Sequence, residues 1–320
     1  MPIVVNSNAS ATTASFNLSR ANDALRKSLG RLSSGNRINN PADDAGGLAV
    51  AYKLNSKANR TTAVLQNSQN ALSYLQVQDS GLQNAGKIVD RMSELRVMSQ
   101  DITKNTQDIE NYSKEFVELQ SQLNQLSKEK FNGISLFATS NLTAVGSLET
   151  STASFGSLSY NTASRTLITH DSGVSTSGSI KLNVVNFQFM LSIGNLSSGA
   201  ATGAAADLGN IDGANAGTGI SSAGFIADIT EVNVSQFTNI IERIADMRAE
   251  NGAEQNRVLN SIDLLQTNLS NIEAAHGRIM DTDIALESTR FARHNILVQA
   301  SAAMTAQANQ LTNVALQLLG

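Results

Sequence analysis

Two parts of the chain show the hydrophobic periodicity of long α-helices, and a part without that periodicity separates them. In the first part, apolar residues from Ile109 to Leu126 follow one another at alternating spacings of three and four. This spacing places them on one stripe of a helix and is typical of coiled-coil packing. The stripe consists of Ile109, Tyr112, Phe116, Leu119, Leu123 and Leu126.

A second stripe of the same type begins at Phe237 and ends at Ile279. Its apolar members are Phe237, Ile241, Ile244, Val258, Ile262, Leu265, Leu269, Ile272 and Ile279. Polar residues occupy four positions of the same register, namely Arg248, Asn251, Gln255 and His276. The pattern predicts another long helix that packs along one face.

A third helix is predicted over about 42–101, where apolar positions recur every seven residues with one shift of three. These positions are Ala51, Ala58, Leu65, Leu72, Leu75, Leu82 and Val89. We expect the helix to begin near Asn40, because Asn caps helices and Pro41 suits a first turn. Asp43 and Asp44 would then face the positive end of the helix dipole.

The part between the two helical regions, about 138–231, is rich in Gly, Ser, Thr and Ala. It holds 12 of the 22 glycines, all between 141 and 231. Such a density of glycine disfavours helix. In residues 179–191 apolar and polar side chains alternate in part, and β-branched and aromatic residues are frequent. This pattern predicts a strand. Residues 197–219 have low complexity and are expected to form a loop.

Both ends of the chain are free of charge but keep an apolar stripe. No charged side chain occurs in the first 19 residues or in the last 26. Near each end apolar residues recur every seven positions, at Leu18, Leu25 and Leu32 and at Leu297, Met304, Leu311 and Leu318. A solvated helix usually carries charge. The stripes therefore predict burial, either against each other within one chain or against other copies or partners.

Composition narrows the classes of function. Lys and Arg total 23 and Asp and Glu total 27, a net charge of -4 that argues against a nucleic-acid binder. Aromatic residues make up only 4% of the chain and Pro occurs twice, which favours long helices over an aromatic-rich globular core. The absence of a basic N-terminal region and of a long apolar run predicts no cleaved signal peptide and no membrane insertion.

No pattern predicts a catalytic, cofactor or metal site. Cysteine is absent, and His170, His276 and His294 are too far apart in sequence to form a helical metal motif. The acidic clusters near Asp43 and near Asp281 lie at predicted helix starts, where carboxylates stabilise the dipole. Phosphate-loop and dinucleotide fingerprints do not occur.

Several motifs resemble those of bacterial flagellins, in the family's order. The N-terminal ones are RLSSGNRIN at 31–39, DDAG at 43–46 and FNG at 131–133. The C-terminal ones are GAEQNR at 252–257, RIMDTD at 278–283 and AQANQ at 306–310. The sequence departs from the family at Ser301, where Gly is frequent, and at Ser93 and Arg96, where Arg and Ala are more usual. The resemblance covers about 1–137 and 232–320.

Pattern and resemblance together predict a mainly α fold, a long antiparallel helical bundle or coiled-coil rod built by the two chain ends, with a small β-rich insert. The expected division has three parts. These are 1–40 with 282–320 as a terminal helical pair that is disordered in the monomer, 41–137 with 232–281 as a helical rod, and 138–231 as a variable outer domain. A short linker in place of 141–230 is expected to allow assembly.

The resemblance implies a structural subunit that is exported unfolded by the flagellar type III apparatus. It would polymerise outside the cell into the filament used for swimming, without enzyme activity or cofactor. The implied partners are other copies of the chain, the flagellar cap and hook-junction proteins, an export chaperone at the C-terminal segment, and the host Toll-like receptor for flagellin. The resemblance assigns an inter-subunit or receptor patch to Arg91, Glu94, Leu95 and Glu118.

Two alternatives to a filament subunit stay open at this point. A flagellar hook–filament junction protein would have similar ends, although the motifs at 31–39 and 306–310 favour flagellin. Some flagellins carry a protease in the insert, but that activity requires an HExxH-type motif, and His170 is the only histidine between 138 and 231.

Overall fold

The computed structural model describes residues 8–138, 149–155, 158–191, 226 and 228–319, with side chains for all of these except 149–162, 188–189 and 311–319. The helices are α1 Ala9–Ser34, α2 Ala45–Met98, α3 Thr106–Ser127, α4 Phe187–Met190, α5 Val234–Met280 and α6 Ile284–Leu319. The strands are β1 Lys130–Phe131, β2 Ile134–Ser135, β3 Phe137–Ala138, β4 Glu149–Phe155, β5 Leu158–Ile168 and β6 Ser179–Asn186. Single 3₁₀ turns occur at Ser175–Ser177 and Ile229–Glu231.

The predicted fold class is confirmed, because the molecule is mainly helical, its terminal helices pack together, and its strands lie in the middle of the sequence. The three helices predicted from periodicity are α2, α3 and α5. The chain separates into two compact units, one formed by 1–59 with 268–320 and the other by 60–267.

The expected start of α2 near Asn40 is wrong by four residues. Residues 40–43 close a turn in which the Asp43 amide donates to the Asn40 carbonyl at 2.9 Å. The Asp43 carboxylate meets the Lys27 ammonium at 2.6 Å, which lowers the pKa of Asp43. Asp44 is thereby left to cap the helix, and its carboxylate accepts from the Gly47 amide at 2.8 Å.

In the unit formed by the chain ends, α1 and α6 run antiparallel. The Asn8 amide group donates to the Ala308 carbonyl at 2.8 Å, while Arg31 at the other end of α1 lies 3.8 Å from Glu287. α1 ends at Gly35, whose φ of 72° is the left-handed conformation that glycine adopts most easily. The Gly35 carbonyl then accepts from the Thr282 amide at 2.9 Å, which ties the end of α1 to the start of α6.

The second unit contains a core that the helices and the strands share. The largest fully buried side chains all belong to it, and they come from α2, α3, α4, α5 and the segments around the strands. They are Leu75, Leu82, Met92, Leu95, Phe116, Leu123, Leu136, Phe137, Phe187, Met190, Leu191 and Phe237. The predicted stripe of α3 faces this core, since each of its members is buried or packs against the buried cluster.

The described strands form two sheets. β1 and β2 make a hairpin whose turn is Asn132–Gly133, both with positive φ, as an Asn-Gly hairpin turn requires. The larger sheet has the order β3-β6-β5-β4, with β3 parallel to β6 and the other neighbours antiparallel. β6 is therefore an interior strand, and its residues 180, 182, 184 and 185 are buried.

The strand predicted over 179–191 is correct only as far as Asn186. Phe187–Met190 form a helical turn, because Phe187 and Met190 are drawn into the core, where the Phe187 ring packs 4.9 Å from the ring of Phe137. The loop expected at 197–219 lies outside the described residues.

The stripe of α5 shifts by one residue along its first half. Ile240, Met247 and Glu254 are buried at the places where the prediction used Ile241, Arg248 and Gln255. An α-helix has 3.6 residues per turn, so a strict seven-residue stripe drifts around it. The drift explains why the predicted stripe met polar residues at 248 and 255.

Candidate assembly surfaces

The face of α1 that meets α6 contains the predicted leucines. Leu18, Leu25 and Leu32 are half-buried, and the buried positions between them are Ala21 and Ser28. Small residues at the centre of the contact allow the two backbones to approach closely but bury little apolar area. The terminal pair is therefore held by an extended contact with few large buried side chains.

The apolar stripe predicted for α6 does not face α1. Met304 is 65% exposed and Leu297 is 46% exposed. The positions of α6 that turn inward are instead Glu287, Phe291, His294, Val298, Ser301, Thr305 and Ala308, which follow the same alternation of four and three. Of the other two predicted residues, Leu311 and Leu318, the structure describes only the helical backbone.

Because the inward stripe of α6 uses other residues, large apolar side chains are left on the outside of the terminal pair. They include Phe16 and Leu29 on α1 and Ile296, Leu297 and Met304 on α6. A groove of about 500 Å³ lies between the helices beside Met304 and is lined mainly by small side chains of α1 and α6, such as Ala14 and Ala300. Exposed apolar surface of this kind marks interaction sites.

One buried carboxylate anchors the start of α6. Glu287 is buried, and its carboxylate oxygen lies 3.8 Å from Arg31 of α1 and 3.3 Å from Arg290 of its own helix. Two guanidinium groups therefore neutralise the one buried negative charge, which is the condition for burying a carboxylate at tolerable cost. The contact fixes the pairing of α1 with α6 where α1 ends and α6 begins. The hydrogen bond between Gly35 and Thr282 lies at the same end of the pair.

The patch assigned to Arg91, Glu94, Leu95 and Glu118 is only partly a surface. Arg91 and Glu94 are joined at 3.1 Å, and Glu118 is exposed on α3. Leu95 is fully buried in the helical core, so its side chain does not contribute to the surface of the single subunit. Its position on α2 places it on the inward stripe, one residue beyond Glu94 around the helix.

Sequence reasoning missed the acid that contacts Arg91. Glu115 of α3 accepts from the Arg91 guanidinium at 2.8 Å, and this hydrogen bond, followed by that of Glu94, raises the pKa of Arg91. Glu115 lies one turn before Glu118 on the same helix, so the sequence spacing could not distinguish the two. The surface patch on α2 and α3 therefore consists of Arg91, Glu94, Glu115 and Glu118.

Arg96, one of the departures from the family pattern, holds the chain segment that precedes α5. Its guanidinium donates to the Val232 carbonyl at 2.5 Å and to the Thr230 carbonyl at 3.4 Å, and it also meets the Ser99 hydroxyl at 3.1 Å. Arg96 is buried, as is Val232. The side chain thus satisfies the Val232 carbonyl at a buried site, where an unpaired carbonyl would be costly.

The histidines do not come together with acids into a metal site in the described part of the chain, where no group of three or more His, Asp or Glu side chains could hold a metal ion. His170 instead meets the Ser172 hydroxyl at 2.9 Å on an exposed turn. Within the same described ranges, none of the helices has a stretch long and apolar enough to cross a bilayer.

Comparison with known proteins gives matches along nearly the whole chain. Residues 5–142 match the family model for the bacterial flagellin N-terminal helical region, and residues 234–319 match that for the C-terminal helical region. The flagellin of Bacillus subtilis (strain 168) is 30% identical over 319 residues, covering 98% of this chain and 99% of that protein. The flagellar filament 33 kDa core protein of Treponema phagedenis is 29% identical and covers 99% of this chain and 100% of that protein.

A solved structure, that of Bacillus cereus flagellin, aligns with a TM-score of 0.41 at 20% identity. The alignment covers 66% of this chain and 94% of that one. Flagellin FlaB2 of Treponema pallidum (strain Nichols) is 30% identical over 319 residues, which is 99% of this chain and the whole of that protein.

Proposed function

This chain belongs to the bacterial flagellin family and is therefore a structural subunit of the flagellar filament, and from that premise we propose that it polymerises through its terminal helical pair. Flagellins are structural proteins, so the chain is not an enzyme. The family places the assembled subunit in the extracellular filament. The full-length relatives named flagellin do not favour the alternative of a hook–filament junction protein.

The observation that supports this proposal is the outward apolar face of the terminal pair. Phe16, Ile296 and Met304 are each 65% exposed, in a part of the chain where charge is nearly absent. Burying such side chains yields about 25 cal/mol for each Å² removed from water. Many copies docked side by side would cover this surface, and around Phe16, Ile296 and Met304 few ions would be desolvated when they do.

The three-part division of the chain belongs to the same proposal. Residues 1–40 with 282–320 would form the inner core of the filament, 41–137 with 232–281 the surrounding helical layer, and 138–231 the outer surface. The distribution of charge supports this order, since the first 19 and the last 26 residues are uncharged whereas α2 and α3 carry exposed ion pairs.

The export route and the further partners are also proposals. An unfolded chain without cysteine can pass the type III apparatus without cross-linking, and the apolar stripe of the C-terminal segment offers a binding surface for an export chaperone. The flagellar cap and hook-junction proteins would meet the same terminal helices as a neighbouring subunit does. The surface patch of Arg91, Glu94, Glu115 and Glu118 is the region we assign to a neighbouring subunit and to the host Toll-like receptor.

Seeded polymerisation of purified monomer tests the assembly surface. Met304→Lys should leave the helical content of the monomer unchanged, because Met304 is exposed, and should prevent sedimentable filaments, because an ammonium would be buried without a partner in every subunit. Thr176→Lys introduces the same charge on an exposed turn at 175–177 and should polymerise normally. Normal filaments from Met304→Lys would refute the proposed surface.

A further inference from the structure

β3 is too short to pair with the whole edge of β6. Side chains cover the part of that edge that β3 leaves unpaired. β3 has only two residues, and it pairs with β6 at Val185 and Asn186 alone. On its other edge β6 pairs with β5 from Ser179 to Val184. The amide and the carbonyl of Asn183, two residues before Val185, are thus directed past the end of β3. An interior strand with unpaired backbone groups requires other partners.

Side chains from α5 and α2 supply those partners. Glu254 accepts from the Asn183 amide through both carboxylate oxygens, at 2.9 and 3.1 Å. Gln78 donates to the Asn183 carbonyl at 3.3 Å and to the Leu136 carbonyl at 2.9 Å. Asn251 in turn donates to the Gln78 side-chain oxygen at 2.7 Å, so the contacts from the two helices form one connected network.

A second carboxylate binds the same residue of β6, Asn183. Glu250, one turn before Glu254 on α5, accepts from the side-chain amide of Asn183. Asn183 therefore offers its backbone amide to one carboxylate and its side-chain amide to the other. Two acids one helical turn apart repel each other when both are ionised.

We propose that Glu254 and Glu250 form a proton-linked clamp on Asn183 that holds β6 against α5 most firmly when the pair carries a proton. The clamp would couple the strands of the middle segment to the helices according to pH. The inference concerns a single subunit and does not depend on filament assembly.

The electrostatic surroundings of Glu254 agree with proton binding. Glu254 is 6% exposed, and burial raises its pKa to about 7, with the Glu250 charge adding to the rise and the Asn183 amide and Arg257 opposing it. Burial likewise raises the pKa of Glu250, against the hydrogen bond from Asn183, and the Asp246 charge adds to that rise.

Titratable and charged groups of α2, β5 and β6 also lie near the clamp. Tyr74 of α2 has a raised pKa, chiefly because it is buried, and the Glu254 charge contributes to the rise. Arg165 of β5 acts on Tyr74 in the opposite sense. Lys181 lies two residues before Asn183 on β6, and its side chain is exposed to water.

The sign of the pH effect follows from the raised pKa. In the closed state the clamp holds β6 against α5, and in the open state this contact is broken. A carboxyl that binds a proton more tightly in the closed state than in the open state stabilises the closed state most at low pH. That contribution declines as the pH rises from the ordinary value of 4.5 through about 7. The clamp should therefore loosen between pH 6 and pH 8, a range in which ordinary carboxyl groups stay ionised.

Amide hydrogen exchange of the monomeric full-length chain, corrected for intrinsic rates, measures this loosening. Protection of the amides of β6 should fall about tenfold from pH 6 to pH 8 in the wild type, given a shift from 4.5 to about 7. Glu254→Gln keeps an oxygen acceptor without the charge, so its protection should be the same at both pH values. Glu242→Gln, at an exposed acid of the same helix, should behave like the wild type.

An equal loss of protection in Glu254→Gln and in the wild type would overturn the proposal. If Glu254→Gln does not fold, the carboxyl ¹³C titration of the wild type decides instead. A midpoint near 7 for Glu254 that falls in Glu250→Gln supports the clamp, whereas a midpoint in the ordinary range of glutamate refutes it. If the role of Glu254 were purely structural, Glu250→Gln would not shift the titration midpoint of Glu254, and Glu254→Gln would not alter the pH dependence of protection.

Discussion

Gly81 of α2 lies directly against the ring of Phe137. A methyl group at residue 81 would lie 2.8 Å from the ring carbon Cζ, closer than real side chains approach. Phe137 is buried and packs on Phe187, so its ring has little room to move. The glycine allows the strand segment to approach the helix closely, and the sequence pattern of α2 gives no indication of it.

Gly81→Ala should therefore destabilise the protein although alanine is the better helix former. The gain in helix propensity is about 1 kcal/mol, and overpacking a core costs about 1–3 kcal/mol. Gly86→Ala is the matched control on the same helix, since the added methyl group would meet Ile244 at an ordinary 3.8 Å. Chemical denaturation should show a lower midpoint for Gly81→Ala and an unchanged or higher one for Gly86→Ala. The reverse order would contradict the packing described.

Part of the middle segment, residues 138–231, is expected to be required for the stability of the helical core. Leu182 and Phe187 are buried in the same core as the helices, so Leu182→Ala should cost about 2–5 kcal/mol of unfolding free energy. Val174→Ala, at a half-exposed valine of the loop before β6, should cost less than about 0.5 kcal/mol. Thermal unfolding of both variants checks this difference, and equal costs would show that β6 does not belong to the core.

A deletion series extends this test to the whole segment. Deletion of 141–230, expected from the sequence to permit assembly, removes Leu182 and Phe187 and should prevent stable folding of the remaining helices. Replacing only 194–223 by a flexible linker of about ten residues should be tolerated, because loop closure costs little additional free energy. Circular dichroism and seeded assembly of both variants distinguish the two outcomes.

Removal of the Arg96 side chain should destabilise the segment before α5. Arg96→Ala leaves the Val232 and Thr230 carbonyls without their charged donor, a loss of about 1–3 kcal/mol. Lys87→Ala, at an exposed cation of the same helix, should change stability by less than about 0.5 kcal/mol. Urea denaturation measures both. A neutral Arg96→Ala would mean that water replaces the guanidinium at no cost.

The pair of Arg91 and Glu115 should matter for recognition rather than for stability. Both side chains are more than two-fifths exposed, and exposed pairs contribute about 0–1 kcal/mol. Arg91→Ala and Glu115→Ala should keep their thermal midpoint but activate receptor-bearing cells less than the wild-type monomer does. Glu110→Ala, at another ion-paired acid of α3, is the control. Unchanged activation by both variants would remove the receptor assignment.

The terminal helices should be the first part of the monomer to be cut by proteases. Their pairing buries Ala21, Ser28 and Ala308 but none of the largest fully buried side chains, so little apolar burial offsets about 1–2 kcal/mol of backbone entropy per residue. Trypsin should cleave within 1–40 and 282–320 of the monomer before it cleaves the rest, and filaments should resist. Equal resistance of monomer and filament would show that the terminal pair is stable by itself.

Periodicity sufficed to predict the helices α2, α3 and α5, because a repeated apolar spacing permits only one regular structure over such lengths. The motifs at 31–39 and 306–310 likewise suffice to identify the family, because they are local sequence patterns. The caps were less certain. Asn40, Asp43 and Asp44 are all acceptable caps by type, and only the ion pair of Asp43 with Lys27 left the role to Asp44.

Where one helix carries two stripes of the same spacing, tertiary structure decides which of them faces inward. In α6, the stripe of Leu297 and Met304 and the stripe of Val298 and Thr305 have the same spacing, and the structure buries the less apolar one. Small and weakly polar side chains let α1 and α6 approach, which leaves the large apolar ones for other surfaces. The sequence alone determines that a periodic segment is a helix, because periodicity is local. The partner of each face depends on contacts between residues up to 300 positions apart, and no local pattern contains that information.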